Sequence, residues 1–192
     1  MGQKGFYYNS QVCTGCKACQ IACKDKNDLD VGVLFRKVYA FEGGTFPDVW
    51  GYYLSLGCNH CKDPKCVKNC PTGAIYKREK DGLVVQDHEK CIGCKMCVWS
   101  CPYERPQYIE KEGKVGKCNG CADLVDKGQN PACVDACPMR AIEFGDIDEL
   151  RKKHGNLCDL NVLPDSSITH PSITINAKEE AKNKNVVGTK SY

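Results

Sequence analysis

The stretch Cys91-Ile92-Gly93-Cys94-Lys95-Met96-Cys97-Val98-Trp99-Ser100-Cys101-Pro102 decides how this chain folds. Its first three cysteines are separated by two residues each, and the fourth lies four positions on. Three thiols on so tight a loop can wrap three corners of a cubane iron–sulfur cluster, while the fourth points away toward a neighbouring cluster. Cys13, Cys16, Cys19 and Cys23 repeat that spacing. Two looser tetrads complete the set: Cys58, Cys61, Cys66, Cys70 and Cys118, Cys121, Cys133, Cys137. Sixteen of the seventeen cysteines thus fall into four tetrads. Four tetrads imply two cluster pairs, and a row of four metal centres is a wire for electrons.

At 192 residues the chain suffices for one or two small domains. So many cysteines exceed ordinary usage, so metal or disulfides replace part of the hydrophobic core. Disulfides suit secreted chains, but residues 1–15 lack the basic and then apolar segments of a signal peptide. Zinc would suit the last tetrad taken alone, whereas C-x2-C-x2-C-x3-C fits a tetrahedral ion poorly and a cubane well. The formal charge of +3 counts every cysteine as neutral. A cubane with four thiolates carries a net −2, so four would contribute about −8 and leave the loaded chain at about −5. The 27 Lys and Arg are dispersed among 24 acids and form no basic face for nucleic acid. Some are expected beside clusters, where positive charge stabilises the reduced state. No run of apolar residues is long enough to span a membrane, and Phe6 replaces the Ser or Thr of a myristoylation signal.

Two modules alternate along the chain. The first is a short strand, a turn and the tight tetrad, seen at Phe6-Tyr7-Tyr8 before Cys13 and at Val84-Val85-Gln86 before Cys91. The second opens with C-N-x-C and closes with P-x-C-V-x-x-C-P-x-x-A-I, at 58–75 and again at 118–142. Adjacent modules pairing in tandem is one arrangement. Nesting fits better, because the middle two copies are joined by a hairpin: 74–78, the turn Lys80-Asp81-Gly82, and 83–85. The expected fold is α+β, with two nested ferredoxin-like domains and an extended C-terminal tail. Residues 1–40 with 115–158 make the outer domain, 55–112 the inserted one, and 24–57 and 102–117 hold the connections. Three tetrads end in Cys-Pro, which turns the chain out of the helix carrying the fourth ligand. Cys23 is followed by Lys24 instead, so its helix can run on through Asn27. Asp146 as N-cap, Glu149 at N3, Arg151-Lys152-Lys153 and Gly155 predict a helix past the last tetrad. The tail 159–192, without amphipathic period, is expected to lie extended on a partner or to be disordered.

These residues resemble the four-cluster iron–sulfur subunits of molybdopterin oxidoreductases, and within them the electron-transfer subunits of the anaerobic dimethyl sulfoxide reductase family. The likeness runs through Cys13-Thr14-Gly15-Cys16-Lys17, Tyr53-Leu54-Ser55, Cys58-Asn59-His60-Cys61, Cys91-Ile92-Gly93-Cys94, Cys101-Pro102-Tyr103 and Pro106-Gln107-Tyr108. It continues through Phe144-Gly145 and Ile147-Asp148-Glu149-Leu150-Arg151-Lys152-Lys153-His154-Gly155, which binds no metal and points to the narrower family. The resemblance implies four [4Fe–4S] clusters. Cys13, Cys16, Cys19 and Cys137 would hold the first; Cys118, Cys121, Cys133 and Cys23 the second. Cys58, Cys61, Cys66 and Cys101 would hold the third; Cys91, Cys94, Cys97 and Cys70 the fourth. It further implies a molybdopterin catalytic subunit next to the first cluster and a membrane anchor that oxidises menaquinol next to the fourth. The nitrate-reductase branch has tryptophan where this chain has Cys94, and formate dehydrogenase subunits carry a membrane helix that this chain lacks. Membrane association would come through partners, with export alongside a partner bearing a twin-arginine signal. No catalysis by the chain itself is implied, and hence no catalytic residue.

Other residues stand near the ligands. His60 and His88 are candidates for hydrogen bonds to sulfur, against a packing role. Trp99 and Tyr103 flank Cys101 and are expected to shield a cluster from water, and Lys95 is either a tuning charge or a solvated lysine. Cys158 falls outside every tetrad and reads as a free thiol. Two rival functions are a free-standing polyferredoxin and a zinc-binding module.

Overall fold

The computed structural model describes residues 2–182 and 189–191. Strand β1 (Lys4–Asn9) leads into helix α1 (Ala18–Lys26) and a long hairpin, β2 (Lys37–Thr45) and β3 (Asp48–Leu56). Helix α2 (Lys65–Lys68), the hairpin β4 (Ile75–Lys77) and β5 (Val84–Gln86), and helix α3 (Met96–Ser100) follow. A third hairpin, β6 (Gln107–Ile109) and β7 (Lys114–Gly116), precedes helices α4 (Ala122–Val125) and α5 (Ala132–Asp135). Last come β8 (Ile142–Asp146), α6 (Ile147–His154), β9 (Ile173–Asn176), α7 (Glu179–Lys182) and β10 (Thr189–Ser191). Short helices and small sheets of this kind make an α+β chain of ferredoxin-type units.

β1 is the central strand of the sheet β8-β1-β9. It pairs antiparallel with β8, Phe6 opposite Phe144, and parallel with β9, Phe6 opposite Ile173. Covered on both sides, Phe6, Tyr7 and Tyr8 are all buried, which is why the strand reads as an unbroken aromatic run rather than an alternating one. The Tyr8 hydroxyl donates to the Tyr53 carbonyl at 2.7 Å and fastens this sheet to the β2–β3 hairpin.

Local signals in the sequence reappear in place. β4 and β5 pair across the turn, with Gly82 at φ 70. α6 starts at an Asp146 side chain that accepts from the backbone N–H groups of Asp148 and Glu149. α1 outlasts the Cys-Pro helices by a turn and ends where Asn27 Nδ2 donates to the Cys23 carbonyl at 2.7 Å. The segment 24–57, read only as a connection, instead holds a hairpin of nine paired positions, Lys37 opposite Leu56 through Thr45 opposite Asp48. The segment 102–117 likewise holds β6 and β7.

The tail is extended where β9 forms, and there it lies on this chain. Ile173, Thr174 and Ile175 are buried against β1, and α7 packs on β3 with Ala181 buried. Four residues are too few to show a period, while the β-branched Ile-Thr-Ile run suits a covered strand. Residues 183–188 and Tyr192, also in the expected tail, lie outside the described residues.

Ile175 is 1% exposed. Ile175→Ala should destabilise the loaded protein by about 2–5 kcal/mol, read as a lower melting temperature, whereas Val31→Ala, at a side chain 97% exposed, should leave it unchanged.

Candidate iron–sulfur centres

Each tight tetrad is a loop that reverses twice and then becomes a helix. Gly15 (φ 70) and Lys17 (φ 62) do this ahead of α1, and Gly93 (φ 70) and Lys95 (φ 61) ahead of α3. Left-handed residues at these points turn successive N–H groups inward, a concavity suited to an anionic cluster. The looser tetrads use the same device with Gly120 (φ 71) and with His60 (φ 43).

The cysteines meet in threes plus one. Cys13, Cys16 and Cys19 line one small space with Cys137, closed by Tyr8, Val38 and Ser55. Cys58, Cys61 and Cys66 line a second with Cys101. Cys91, Cys94 and Cys97 line a third with Cys70. The remaining four, Cys23 with Cys118, Cys121 and Cys133, feel one another's charge where α1 packs on α5. In this order of their cysteines the groups beginning at Cys13, Cys23, Cys58 and Cys70 are the first, second, third and fourth sites. With four thiols on their walls these spaces fit a polyatomic iron–sulfur group, and the mixing of tetrads is the pattern of paired cubanes.

Burial pushes eight of these thiols up. Cys61 and Cys66 rise to about 12, Cys97 and Cys133 to about 11, and Cys19, Cys23, Cys58 and Cys121 also rise. Cys70 departs from the rest: burial opposes ionisation there, but backbone and side-chain hydrogen bonds from Ile75 and Thr72 outweigh it and lower its pKa. A coordinated metal deprotonates a thiol outright, so a bound cluster would make thiolates of these buried groups. Donors to sulfur are already arranged. Ala141 N–H lies 3.3 Å from Cys137 Sγ, Gly120 N–H 3.4 Å from Cys118 Sγ, and Ser55 Oγ 3.3 Å from Cys19 Sγ.

His60 is fully buried, and burial, with help from Lys117 and Arg36, holds its pKa well below the usual range. Its Nδ1 accepts from Val84 N–H at 3.0 Å, which leaves the proton on Nε2, 3.9 Å from Cys118 Sγ. The residue therefore spans from the loop of the third site to a sulfur of the second. His88 is half exposed and stands 3.9 Å from Glu112. Tyr103 lines the third site, but Trp99 is 74% exposed and shields nothing; its helix turns it to the outer face. Lys95 Nζ sits 3.9 Å from the Tyr108 ring centroid, a packed rather than freely solvated cation. Cys158 joins none of the four groups and stands 3.8 Å from an Asp159 oxygen.

Sequence reading missed three buried cations: Arg36, Lys117 and Arg105. The only local signals were a charge inside Leu34-Phe35-Arg36-Lys37-Val38 and a lysine directly before Cys118. Of all the cysteines, Cys16 and Cys94 alone are exposed. Exposed apolar side chains line both sites: Met139 at the first, Ile92 and Met96 at the fourth.

Comparison with known proteins agrees with this geometry. A family described as a 4Fe-4S dicluster domain matches residues 49–147, and one described as a 4Fe-4S binding domain matches 10–30. The sequence is 48% identical to one of the chains of the anaerobic dimethyl sulfoxide reductase of Escherichia coli over 198 aligned residues, covering 99% of this protein and 95% of that one. It is 38% identical to a subunit of the sulfite dehydrogenase of Allochromatium vinosum, over 78% of this protein and 71% of the other. It is 39% identical to a thiosulfate reductase electron transfer subunit of Salmonella typhi, over 74% and 75%.

A Cβ on Gly93 would stand 2.2 Å from the Gly113 carbonyl oxygen, whereas one on Gly73 (φ 66) meets nothing within 4 Å. Gly93→Ala should therefore lose the iron of the fourth site, read as iron per chain and visible absorbance. Gly73→Ala should keep it and cost only the ~1–2 kcal/mol of a left-handed residue.

Proposed function

Because the chain is a member of the anaerobic dimethyl sulfoxide reductase family of iron–sulfur subunits, we propose that it wires a quinol-oxidising membrane anchor to a molybdopterin catalytic subunit. Four [4Fe–4S] clusters would be held as two nested pairs, by the sixteen cysteines in the four groups described above. Residues 1–40 with 115–158 form the outer pair's domain and 55–112 the inserted one. Bound clusters supply one-electron chemistry over a wide range of potentials. The chain's own work is to fix their spacing, keep water from the inner sites and donate hydrogen bonds to sulfur. It has no catalytic residue; bonds are made and broken in the partner's pocket, which selects the substrate.

The observation that carries this reading is the pair of exposed cysteines. Cys16 belongs to the first site and Cys94 to the fourth, each with an apolar rim, and every other tetrad thiol is more covered. Exposed apolar surface of that kind suits docked partners. The first site would face the molybdenum subunit and the fourth the anchor. Among the described residues no helix is long and apolar enough to cross a membrane, so attachment to the bilayer falls to the anchor. The named relatives act with dimethyl sulfoxide, sulfite and thiosulfate. Sulfoxide is the substrate class proposed for the complex, on the strength of the full-length match.

Anaerobic purification from the native host, with iron, sulfide and partner analysis on one sample, tests the reading. About sixteen irons per chain, four for each cubane, with a molybdenum subunit attached are expected. Iron without a partner would favour a free polyferredoxin, and zinc in place of iron would reject both. Cys94→Ser should convert or lose the fourth cluster and abolish quinol-dependent turnover while the complex still assembles. Near-normal quinol-dependent activity in that variant would reverse the proposed cluster order.

A further inference from the structure

Resting on the cluster reading above, we propose that Arg36 is a positioning residue for electron transfer: the buried counter-charge shared by the first and second sites. Arg36 is 4% exposed. Its guanidinium stands 5.0 Å from the Phe6 ring centroid. Nη1 donates to the Ser55 carbonyl at 3.3 Å and to Ser55 Oγ at 3.1 Å. Gly57 leaves it room, since a Cβ there would lie 3.3 Å from Nη2. The same Ser55 hydroxyl is 3.3 Å from Cys19 Sγ, so one short relay joins the cation to a sulfur of the first site.

No carboxylate answers this charge: none of the ion pairs among the described residues includes Arg36. The groups whose charge acts on it are Cys133, Cys19, Cys118 and Cys23, one from the first site and three from the second. A buried cation without an anion is costly. Here its anions are thiolates that exist only when the sites are loaded. Guanidinium does not deprotonate in proteins, so its charge is a fixed bias. Reduction adds one negative charge to a cluster, and a fixed cation beside it favours the reduced form and raises its potential. Lys117 is placed differently. It is buried beside Cys58 and Cys66 of the third site, and its Nζ donates to the Cys118 carbonyl at 2.6 Å. Arg36 should therefore act on two centres and leave the other two alone.

Redox titration of the full chain, purified anaerobically and followed by electron paramagnetic resonance, reads the effect. In Arg36→Gln, two of the four centres should be at least tenfold harder to reduce, a fall of about 59 mV for a one-electron couple. The other two should hold their midpoints, and Arg36→Lys should stay within about threefold of wild type in the reduction equilibrium. Unshifted midpoints in a loaded Arg36→Gln, or an equal shift of all four, would overturn the proposal. If Arg36→Gln fails to load, wild-type midpoints in Arg36→Lys still support a requirement for the charge. If neither variant loads, the guanidinium acts through shape and the proposal falls. A wild-type chain without iron–sulfur signals would be a separate result, removing the premise itself.

Discussion

The structure depends on thiols gathered in groups, half of which burial makes harder to ionise. Each of the three hydrophobic clusters contains cysteines: Cys19, Cys133 and Cys137 in the largest, Cys23, Cys58 and Cys118 in the second, Cys66 and Cys97 in the third. What would be core in an ordinary domain is here the wall of a metal site. Since each group takes three thiols from one tetrad and one from another, a cluster bound there would tie distant parts of the chain together. Cys137 stands with Cys13, Cys16 and Cys19, so the two ends of the outer module pair meet at one space, as β1 and β8 do beside it.

This coupling explains the placement of the β2–β3 hairpin. It contributes little to any tetrad in sequence, yet Val38 and Ser55 close the first site and the Tyr53 carbonyl anchors Tyr8. Gly15 is held as a glycine partly by the same hairpin, because a Cβ there would stand 2.4 Å from the Tyr53 ring. The hairpin thus acts as a lid fixed to the loop it covers. Its alternative description as a mere connection misses the reason it is long.

What was legible in the sequence was whatever depends on neighbours along the chain. Cysteine spacing, Cys-Pro exits, the Lys80-Asp81-Gly82 turn and the Asp146 cap each act over a few residues, and each appears where expected. What was not legible depends on contacts across the chain. β9 is four residues whose only strong signal is β-branching, and its partner lies at the opposite terminus. Trp99 looked like a shield because it sits two residues from Cys101, but α3 directs it outward. Arg36 was not singled out among the dispersed cations, and only the fold shows that it is buried, with the Ser55 hydroxyl between it and Cys19.

The inner and outer sites then differ in what can set their properties. The second and third sites have His60, Arg36 and Lys117, all buried, in their surroundings. At the first and fourth sites one cysteine, Cys16 or Cys94, is exposed. A cluster's potential responds to solvent exposure as well as to charge and hydrogen bonding. On the proposed reading, a docked partner that covers either rim would remove water from that cysteine and alter its site. The ends of the wire would then be tuned by assembly and its middle by sequence, and that division follows from where the thiols are covered and where they are not.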